Sequence, residues 1–438
     1  MFRPAGFADL RDRRVGIFGY GIEGRATRRR LATLTNDLIV VDDQPSEEGV
    51  LASTEGGLAA LATCDVVLKS PGIPRRRADV VALEELGVVV TSALDLWLRD
   101  VDRRRVIAVT GTKGKSTTTS LVAFFLCCLG EKSHELGNFG QPPYDPDLDL
   151  SAGWLVLEVS SFQSVDVSVA PSLVLVTSLG SDHLDWHGTL ERYHEDKLAI
   201  TRASGEHLTL IAATIDTQQT CAYLGGEVQV AAADTTGLAQ ALGLLGAHND
   251  DNVGLALVAC SHATRKPVDV VRAAVSERAG DFVPLRGRLT LIATLRARSG
   301  QVRFVDDGLA TAPLPSIAAL NVFAGEPLAL IAGGFDRGVD YTPLALALRQ
   351  RGPDTMVVVM GPAGDRIAAL LGDAVQHRRA SDMASAVRSA HSALARGGVV
   401  LFSPGAPSFD AYRNWSDRCD AFASAVQDLE EPEEPSKT

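Results

Sequence analysis

Short, mostly apolar runs recur along the whole chain, several of them closed by glycine or an acidic or small polar residue. Four of them fall in the first hundred residues, at 15–18, 38–41, 66–68 and 88–90. They are apolar at successive rather than alternate positions, the pattern of strands covered on both faces of a parallel sheet. A helical stretch at 93–98 follows the last of these. The rhythm resumes with runs at 106–109, 154–159, 173–177 and 208–212, and again at 302–305, 328–331, 356–359 and 399–402. Strands alternating with helices in this way predict an α/β protein of mainly parallel sheets with flanking helices. Breaks at the charged segment 99–105 and near 284–288 divide the chain into three domains, residues 1–100, 101–286 and 287–438. An acidic, proline-containing tail from about residue 430 is expected to be disordered.

Composition narrows the class. A chain of 438 residues with 46% hydrophobic and 22% charged residues is a multidomain globular protein, not a disordered one. The 42 basic residues against 54 acidic ones leave a net charge of −12, which argues against nucleic acid or anionic membrane as partner. No apolar run has the length of a membrane span, and no signal-type stretch follows the charged N-terminus, so a cytoplasmic monomer is expected. Cys64, Cys127, Cys128, Cys221, Cys260 and Cys419 form no CxxC pair and read as reduced thiols.

The strand at 106–109 runs into Gly111-Thr112-Lys113-Gly114-Lys115-Ser116-Thr117 and then a long apolar segment. Strand, glycine turn and helix in this order form a phosphate loop: backbone N–H groups and the helix N-terminus face phosphate oxygens, Lys115 reaches the β/γ-phosphates, and Ser116 offers a hydroxyl to Mg²⁺. Only two residues separate Gly111 from Gly114, where a Walker A loop has four, so the loop is a shortened form. Glu158 closes the run WLVLE, which puts a carboxylate at the ligand-binding edge of a parallel sheet. The stretch 182–188, DHLDWHG, is dense in metal-capable side chains, and Lys197 lies on the helical segment that follows. Near the N-terminus, Gly19-Tyr20-Gly21-Ile22-Glu23-Gly24 with Asp42 and Asp43 about 20 residues on is a dinucleotide-type fingerprint that suits any pyrophosphate and ribose. His187 and His194 read as loop or surface residues.

With Gly137-Asn138-Phe139-Gly140, residues 158–163 (EVSSFQ), His248-Asn249 and Asn252 added in order, the chain resembles the Mur ligase family, ATP-dependent amino-acid ligases of peptidoglycan precursor synthesis. Within that family the GYGIEG turn, Ser70-Pro71-Gly72 and the later Ser403-Pro404 with Ser408-Phe409-Asp410 are most similar to members that add glutamate to UDP-N-acetylmuramoyl-L-alanine. The resemblance implies a first domain that binds the UDP end of the substrate through Gly21, Ile22, Glu23, Asp42, Asp43, Ser70, Pro71 and Gly72, with Asn138 as a further substrate contact. It implies a central domain that binds ATP through residues 111–117 and Asn252, joined by Arg288 and Asp307. Two Mg²⁺ sites are implied, one at Ser116 and Glu158 and one at His183 and a carbamylated Lys197; Lys115, Glu158, His183 and Lys197 would be the catalytic set. The third domain would bind glutamate through Thr311, Asp336, Arg337, Ser408, Phe409 and Trp415.

The chain departs from the family in that third domain. The usual Asp-Ser-Lys-Ala-Thr-Asn reads Asp307-Gly308-Leu309-Ala310-Thr311-Ala312, the lysine of Gly-Gly-x-Asp-Lys-Gly is Arg337, and Trp415 stands where phenylalanine is common. Arginine offers a planar fork where lysine offers a point charge, so a carboxylate would be oriented differently. Changes confined to the amino-acid pocket lead to the expectation of L-glutamate as substrate, with D-glutamate as the alternative. A P-loop regulatory ATPase, a folylpolyglutamate-type ligase and an NAD oxidoreductase are the rival readings. The folylpolyglutamate type would not carry the N-terminal glycine fingerprint, and an NAD enzyme leaves Lys115, Glu158 and His183 without a role.

Overall fold

The structure is a computed structural model that describes residues 3–138, 140–216, 220, 222–409 and 411–429. Phe139, Cys221, Asp410 and the tail from residue 430 lie outside the described residues. The chain forms two compact units, one of Met1–Thr236 with Asp250–Arg278, the other of Gly237–Asn249 with Ala279–Thr438.

The first unit holds two parallel sheets. Strands β1 (Val15–Phe18), β2 (Leu38–Asp42), β3 (Leu51–Ala52), β4 (Val66–Lys69) and β5 (Val89–Thr91) pair in the order β3-β2-β1-β4-β5. Strands β6 (Val106–Thr110), β7 (Ser133–Gly137), β8 (Trp154–Glu158), β9 (Leu173–Val176), β10 (Leu208–Ala212) and β11 (Glu227–Ala231) pair in the order β11-β10-β9-β6-β8-β7. Strands β1, β4, β6 and β9 are buried at every position, as their unbroken apolar runs require. The second unit carries β12 (Thr290–Ala297), β13 (Gly300–Asp306), β14 (Leu328–Gly333), β15 (Thr355–Met360), β16 (Gln376–Arg379) and β17 (Gly398–Phe402), in the order β12-β13-β17-β14-β15-β16. Here β12 pairs antiparallel with β13, and the other pairs are parallel. A long helix runs His248–Thr264.

Hydrophobic runs did not predict β3, β7, β11, β12 or β16. Each is the edge of its sheet or lies on a solvated face: β16 is exposed at all four positions and β11 at four of five.

The two sheets of the first unit share one core. Val15, Ile17, Leu96 and Trp97 of the first sheet region pack into the same cluster as Val106, Ala108, Leu155 and Val174 of the second. Polar side chains complete the joint. Asp95 accepts hydrogen bonds from the Ser168 N–H (2.8 Å) and hydroxyl (2.6 Å) and from Arg99 Nε (3.0 Å). Lys69 Nζ lies 2.6 Å from Asp166 Oδ2, with side chains 0% and 1% exposed, and donates to the Ile73 carbonyl at 2.8 Å.

A buried ion pair stabilises only while both partners are present. Asp166→Ala, which strands the Lys69 ammonium, is expected to cost about 3–5 kcal/mol in chemical denaturation, and Lys69→Met with Asp166→Leu to recover most of it. A single-variant loss under about 1 kcal/mol contradicts the role given to this pair.

Candidate active site

Strand β6 delivers the chain to the phosphate loop at the edge of the second sheet, and the helix Lys115–Cys128 carries it away. Gly114 caps that helix at φ 85°, and no side chain caps it among the described residues, so its first N–H groups face the loop. A Cβ on Gly111, at φ 141°, would lie 2.1 Å from Thr177 Oγ1, and one on Gly114 would lie 2.5 Å from Asn252 Oδ1. Only glycine fits either place. Asn252 therefore lies against the loop, and it also accepts from Thr118 Oγ1 at 3.2 Å.

Two lysines converge on one carbonyl. Lys115 Nζ donates to the Gly111 oxygen at 3.0 Å and to that of Thr112 at 3.3 Å; Lys197 Nζ donates to the same Gly111 oxygen at 2.9 Å. Lys197 is buried, over the ring of Tyr193 at 4.8 Å. Burial, and next the charge of Lys115, push its ammonium well below the ordinary lysine range. Thr112 Oγ1 receives the Tyr193 hydroxyl and the Gly180 N–H, both at 3.0 Å, and Lys113 pairs with Asp182 at 3.1 Å. Ser116 is buried at the start of the helix, and Thr117 is half-buried beside it.

Glu158 ends β8 next to Val109 of β6, which brings its carboxylate to the loop. It is 2% exposed; Oε1 accepts from Asn138 Nδ2 at 2.8 Å, while Oε2 is buried with no hydrogen-bond partner. A buried, unsatisfied carboxylate oxygen beside a phosphate loop fits a divalent cation. Among the described residues no three His, Cys, Asp or Glu side chains cluster as a ready-made metal cage.

His183 sits in a left-handed conformation (φ 50°, ψ 37°), with its ring half exposed and 4.9 Å from that of Phe162. Burial lowers its pKa; Asp182 opposes this, and Lys197 and Lys113 add to it, which keeps the imidazole neutral and able to ligate. His187, expected at the surface, is instead buried: Nδ1 bonds Asp196 Oδ2 at 2.8 Å and Nε2 lies 2.9 Å from Ser161 Oγ. Asp196 is also gripped by Arg76 through two bonds of 2.8 and 2.9 Å. Burial alone would raise the Asp196 carboxyl; the hydrogen bonds and charges of His187 and Arg76 outweigh it and hold the group low. His194 bonds the Gly180 carbonyl at 3.0 Å.

In the first sheet, the glycine turn is closed by Ser70, whose hydroxyl donates to the Gly19 carbonyl at 2.6 Å. Ile22 projects at 76% exposure beside Gly21, while Pro71 and Gly72 continue the neighbouring loop. Glu23 does not project with Ile22: its carboxylate accepts from Tyr144 Oη (2.8 Å) and Gln163 Nε2 (2.7 Å) of the second-sheet region. Asp42 accepts from the Tyr20 N–H, and Asp43 is engaged by Ser53 and Arg77.

In the second unit, the loops after β13, β14 and β17 lie at one sheet edge. Asp307 accepts from Ser403 Oγ at 2.7 Å, and burial pushes its carboxyl up to about 7. Arg288 and Thr311 are exposed, and Trp415 is half-buried at the start of the helix Trp415–Gln427. Asp336 is tied to Arg366 at 2.7 Å, and the Arg337 guanidinium lies 5.5 Å over the ring of Phe409, next to buried Ser408. Sequence reasoning missed Arg418. This buried side chain donates to the carbonyls of Gly308 (3.3 Å), Ala406 (2.9 Å) and Pro407 (3.0 Å), and approaches that of Gly333 at 3.5 Å, so one guanidinium ties all three loops.

A glycine phosphate loop at a parallel-sheet edge, with two lysines and an unsatisfied carboxylate around it, defines a P-loop nucleotide-binding α/β protein. Residues 109–237 match the Mur ligase middle domain. The chain is 36% identical over 459 residues to the UDP-N-acetylmuramoyl-L-alanine--L-glutamate ligase of Micromonospora sp. (strain ATCC 39149 / NRRL 15099 / SCC 1413), covering 96% of this chain and 98% of that one. It is 36% identical to the enzyme of the same name from Salinispora tropica, covering 96% and 99%. The chain belongs to the Mur ligase family. At the level of fold it is similar to UDP-N-acetylmuramate-alanine ligase MurC from Thermotoga maritima, with a TM-score of 0.53, 19% identity and coverage of 95% of this chain and 100% of that one. A folylpolyglutamate synthase from Mycobacterium tuberculosis complexed with ADP has a TM-score of 0.51 at 17% identity, and covers 78% of this chain and 94% of its own.

Gly111→Ala is expected to abolish nucleotide binding in calorimetry with an ATP analogue, and to lower stability by about 1–3 kcal/mol through backbone strain. An alanine variant that binds nucleotide as well as the parent contradicts the loop geometry assigned here.

Proposed function

We propose that the protein is an ATP-dependent amide ligase that adds L-glutamate to UDP-N-acetylmuramoyl-L-alanine in peptidoglycan precursor synthesis. The observation that carries this reading is the end-to-end similarity to ligases of that name, which runs through the altered loops of the second unit as well as the phosphate loop. On this reading residues 1–100 bind the UDP end, 101–286 bind ATP, and 287–438 bind the amino acid.

The substrate's carboxylate is a poor electrophile until it is phosphorylated. Its oxygen attacks the γ-phosphorus of ATP and ADP leaves; the amine of glutamate then attacks the acyl phosphate, loses a proton, and phosphate departs from the tetrahedral adduct. No side chain is needed as nucleophile. The protein supplies position and charge. Lys115, held at the loop carbonyls of Gly111 and Thr112, is placed for the β/γ-phosphates. The N–H groups opening the helix Lys115–Cys128 face the same oxygens. Mg²⁺, when bound, neutralises the phosphate oxygens in the displacement. Ser116 and Glu158 would hold one ion; His183 and Lys197 would hold the second.

Lys197 serves that second site as a carbamate, formed when its amine attacks CO₂ and releases a proton. Burial favours the reaction by lowering the ammonium pKa, because only the neutral amine is nucleophilic. In the amino-acid pocket, Arg337, spread over Phe409, presents its fork to the side-chain carboxylate of glutamate. Asp336 is held back from it by Arg366.

Phosphate release is expected with ATP, UDP-N-acetylmuramoyl-L-alanine and L-glutamate together, and not when any one is omitted. Turnover with D-glutamate alone would overturn the assignment of the enantiomer. Lys197→Ala is expected to lose turnover by about a hundredfold, the scale of a misplaced catalytic geometry, and to regain part of it with added short-chain carboxylic acids. A variant that acids leave inactive argues against a carbamate.

A further inference from the structure

Four side chains that the ligation steps do not use are bonded in series through the interior of the first unit. Arg76, on the loop that follows Ser70-Pro71-Gly72, holds Asp196 with both guanidinium nitrogens. Asp196 Oδ2 is shared between Arg76 and His187 Nδ1, and His187 Nε2 meets Ser161 Oγ. The side chains of His187 and Asp196 are 0% and 2% exposed. Apolar residues of equal volume would give similar packing at lower desolvation cost, so the series is not explained by stability alone.

The order serine, histidine, aspartate is that of a nucleophilic triad, but the Ser161 side chain is buried rather than presented at a surface. What the series does touch is the reaction machinery. Asp196 immediately precedes Lys197 on one helix, and Ser161 lies three residues after Glu158, at the first turn of the helix Ser161–Ser164. Phe162 packs its ring almost parallel to His187 (5.5 Å, 20°) and also against Trp186 at 4.8 Å and His183 at 4.9 Å. Trp186 Nε1 in turn donates to the Gly72 carbonyl at 3.4 Å, a second link to the same first-sheet loop.

We propose that Arg76, Asp196, His187 and Ser161 form a positioning relay that holds Lys197 and His183 in register with loop 70–77, so that the phosphate end is set by the loop that reads the nucleotide substrate. The proposal rests on the functional reading above. It also fixes a tautomer. A carboxylate can only accept, so His187 carries a proton on Nδ1, and in the neutral ring Nε2 accepts the proton of the Ser161 hydroxyl.

Two measurements test it. In ¹⁵N-histidine-labelled protein, with the His187 signals assigned by their loss in His187→Gln, the Nδ1–H tautomer is expected, and an Nε2–H tautomer overturns the relay. This readout needs no turnover, and wild-type phosphate release with L-glutamate tests the functional reading separately. Arg76 is half exposed, so Arg76→Ala is expected to fold, with a lowered melting temperature because the buried Asp196 carboxylate loses its guanidinium. Its kcat should fall by about tenfold or more while KM for ATP stays within about twofold, the signature of lost orientation rather than lost binding. Arg76→Ala combined with Asp196→Asn should be no slower than the slower single variant. Additive losses, or an unchanged kcat in folded Arg76→Ala, overturn the proposal.

Discussion

One carbonyl oxygen, that of Gly111, receives two lysine ammonium groups, and much of the first unit is arranged to make that possible. The oxygen points toward the lysines because Gly111 adopts a backbone conformation that a side chain would block against Thr177. Lys115 reaches it from the helix that opens four residues later, Lys197 from a helix whose end is buried beneath the loop. Two like charges at one acceptor repel, and burial of the second raises the cost. Burial therefore favours the neutral amine at Lys197 over a second ammonium beside Lys115.

The same economy explains the joint between the two sheets of the first unit. Its apolar part is continuous, but the contacts that define its register are ionic or charge-assisted: Lys69 with Asp166, Asp95 with Ser168, Glu23 with Tyr144 and Gln163, Arg76 with Asp196. Apolar contact tolerates sliding, whereas bidentate and buried charged contacts have one geometry. Gln163 shows how closely the joint borders the chemistry. Its amide nitrogen holds Glu23, and its carbonyl oxygen receives the N–H and hydroxyl of Ser160, two residues beyond Glu158.

Most of the fold was legible because parallel strands covered on both faces are written as unbroken apolar runs. The phosphate loop was legible because its glycines, lysine and serine are adjacent in sequence. Most edge strands were not, since β16 and most of β11 face solvent and carry no hydrophobic signature. Nor were the buried polar residues. His187 becomes a core residue only because Arg76, about 120 positions before Asp196, completes the pair that compensates it. Arg418 has the same character: a single arginine on a helix reads as solvated, and its four carbonyl partners lie on three separate loops. Spacing along a turn does not say which of two neighbouring side chains points inward: Ile22 is exposed, whereas the Glu23 carboxylate bonds Tyr144 and Gln163.

Arg418 also bears on how such a chain could change its amino acid without changing its use of ATP. Its two terminal guanidinium nitrogens donate to backbone carbonyls, so this tie between the three loops does not depend on the side chains they carry. Leu309, Arg337 and Trp415 can therefore differ from the family's usual residues without loosening the platform that displays them. Arg337 itself is exposed and stacked on Phe409, with its neighbour Asp336 neutralised by Arg366 rather than by Arg337. On the proposed reading the Arg337 guanidinium would take the side-chain carboxylate of glutamate, and its planar fork would constrain that carboxylate's angle as a lysine would not. Selectivity for one hand of glutamate then needs no new scaffold, only a differently oriented anchor for the side chain, with the amine brought to the same acyl phosphate.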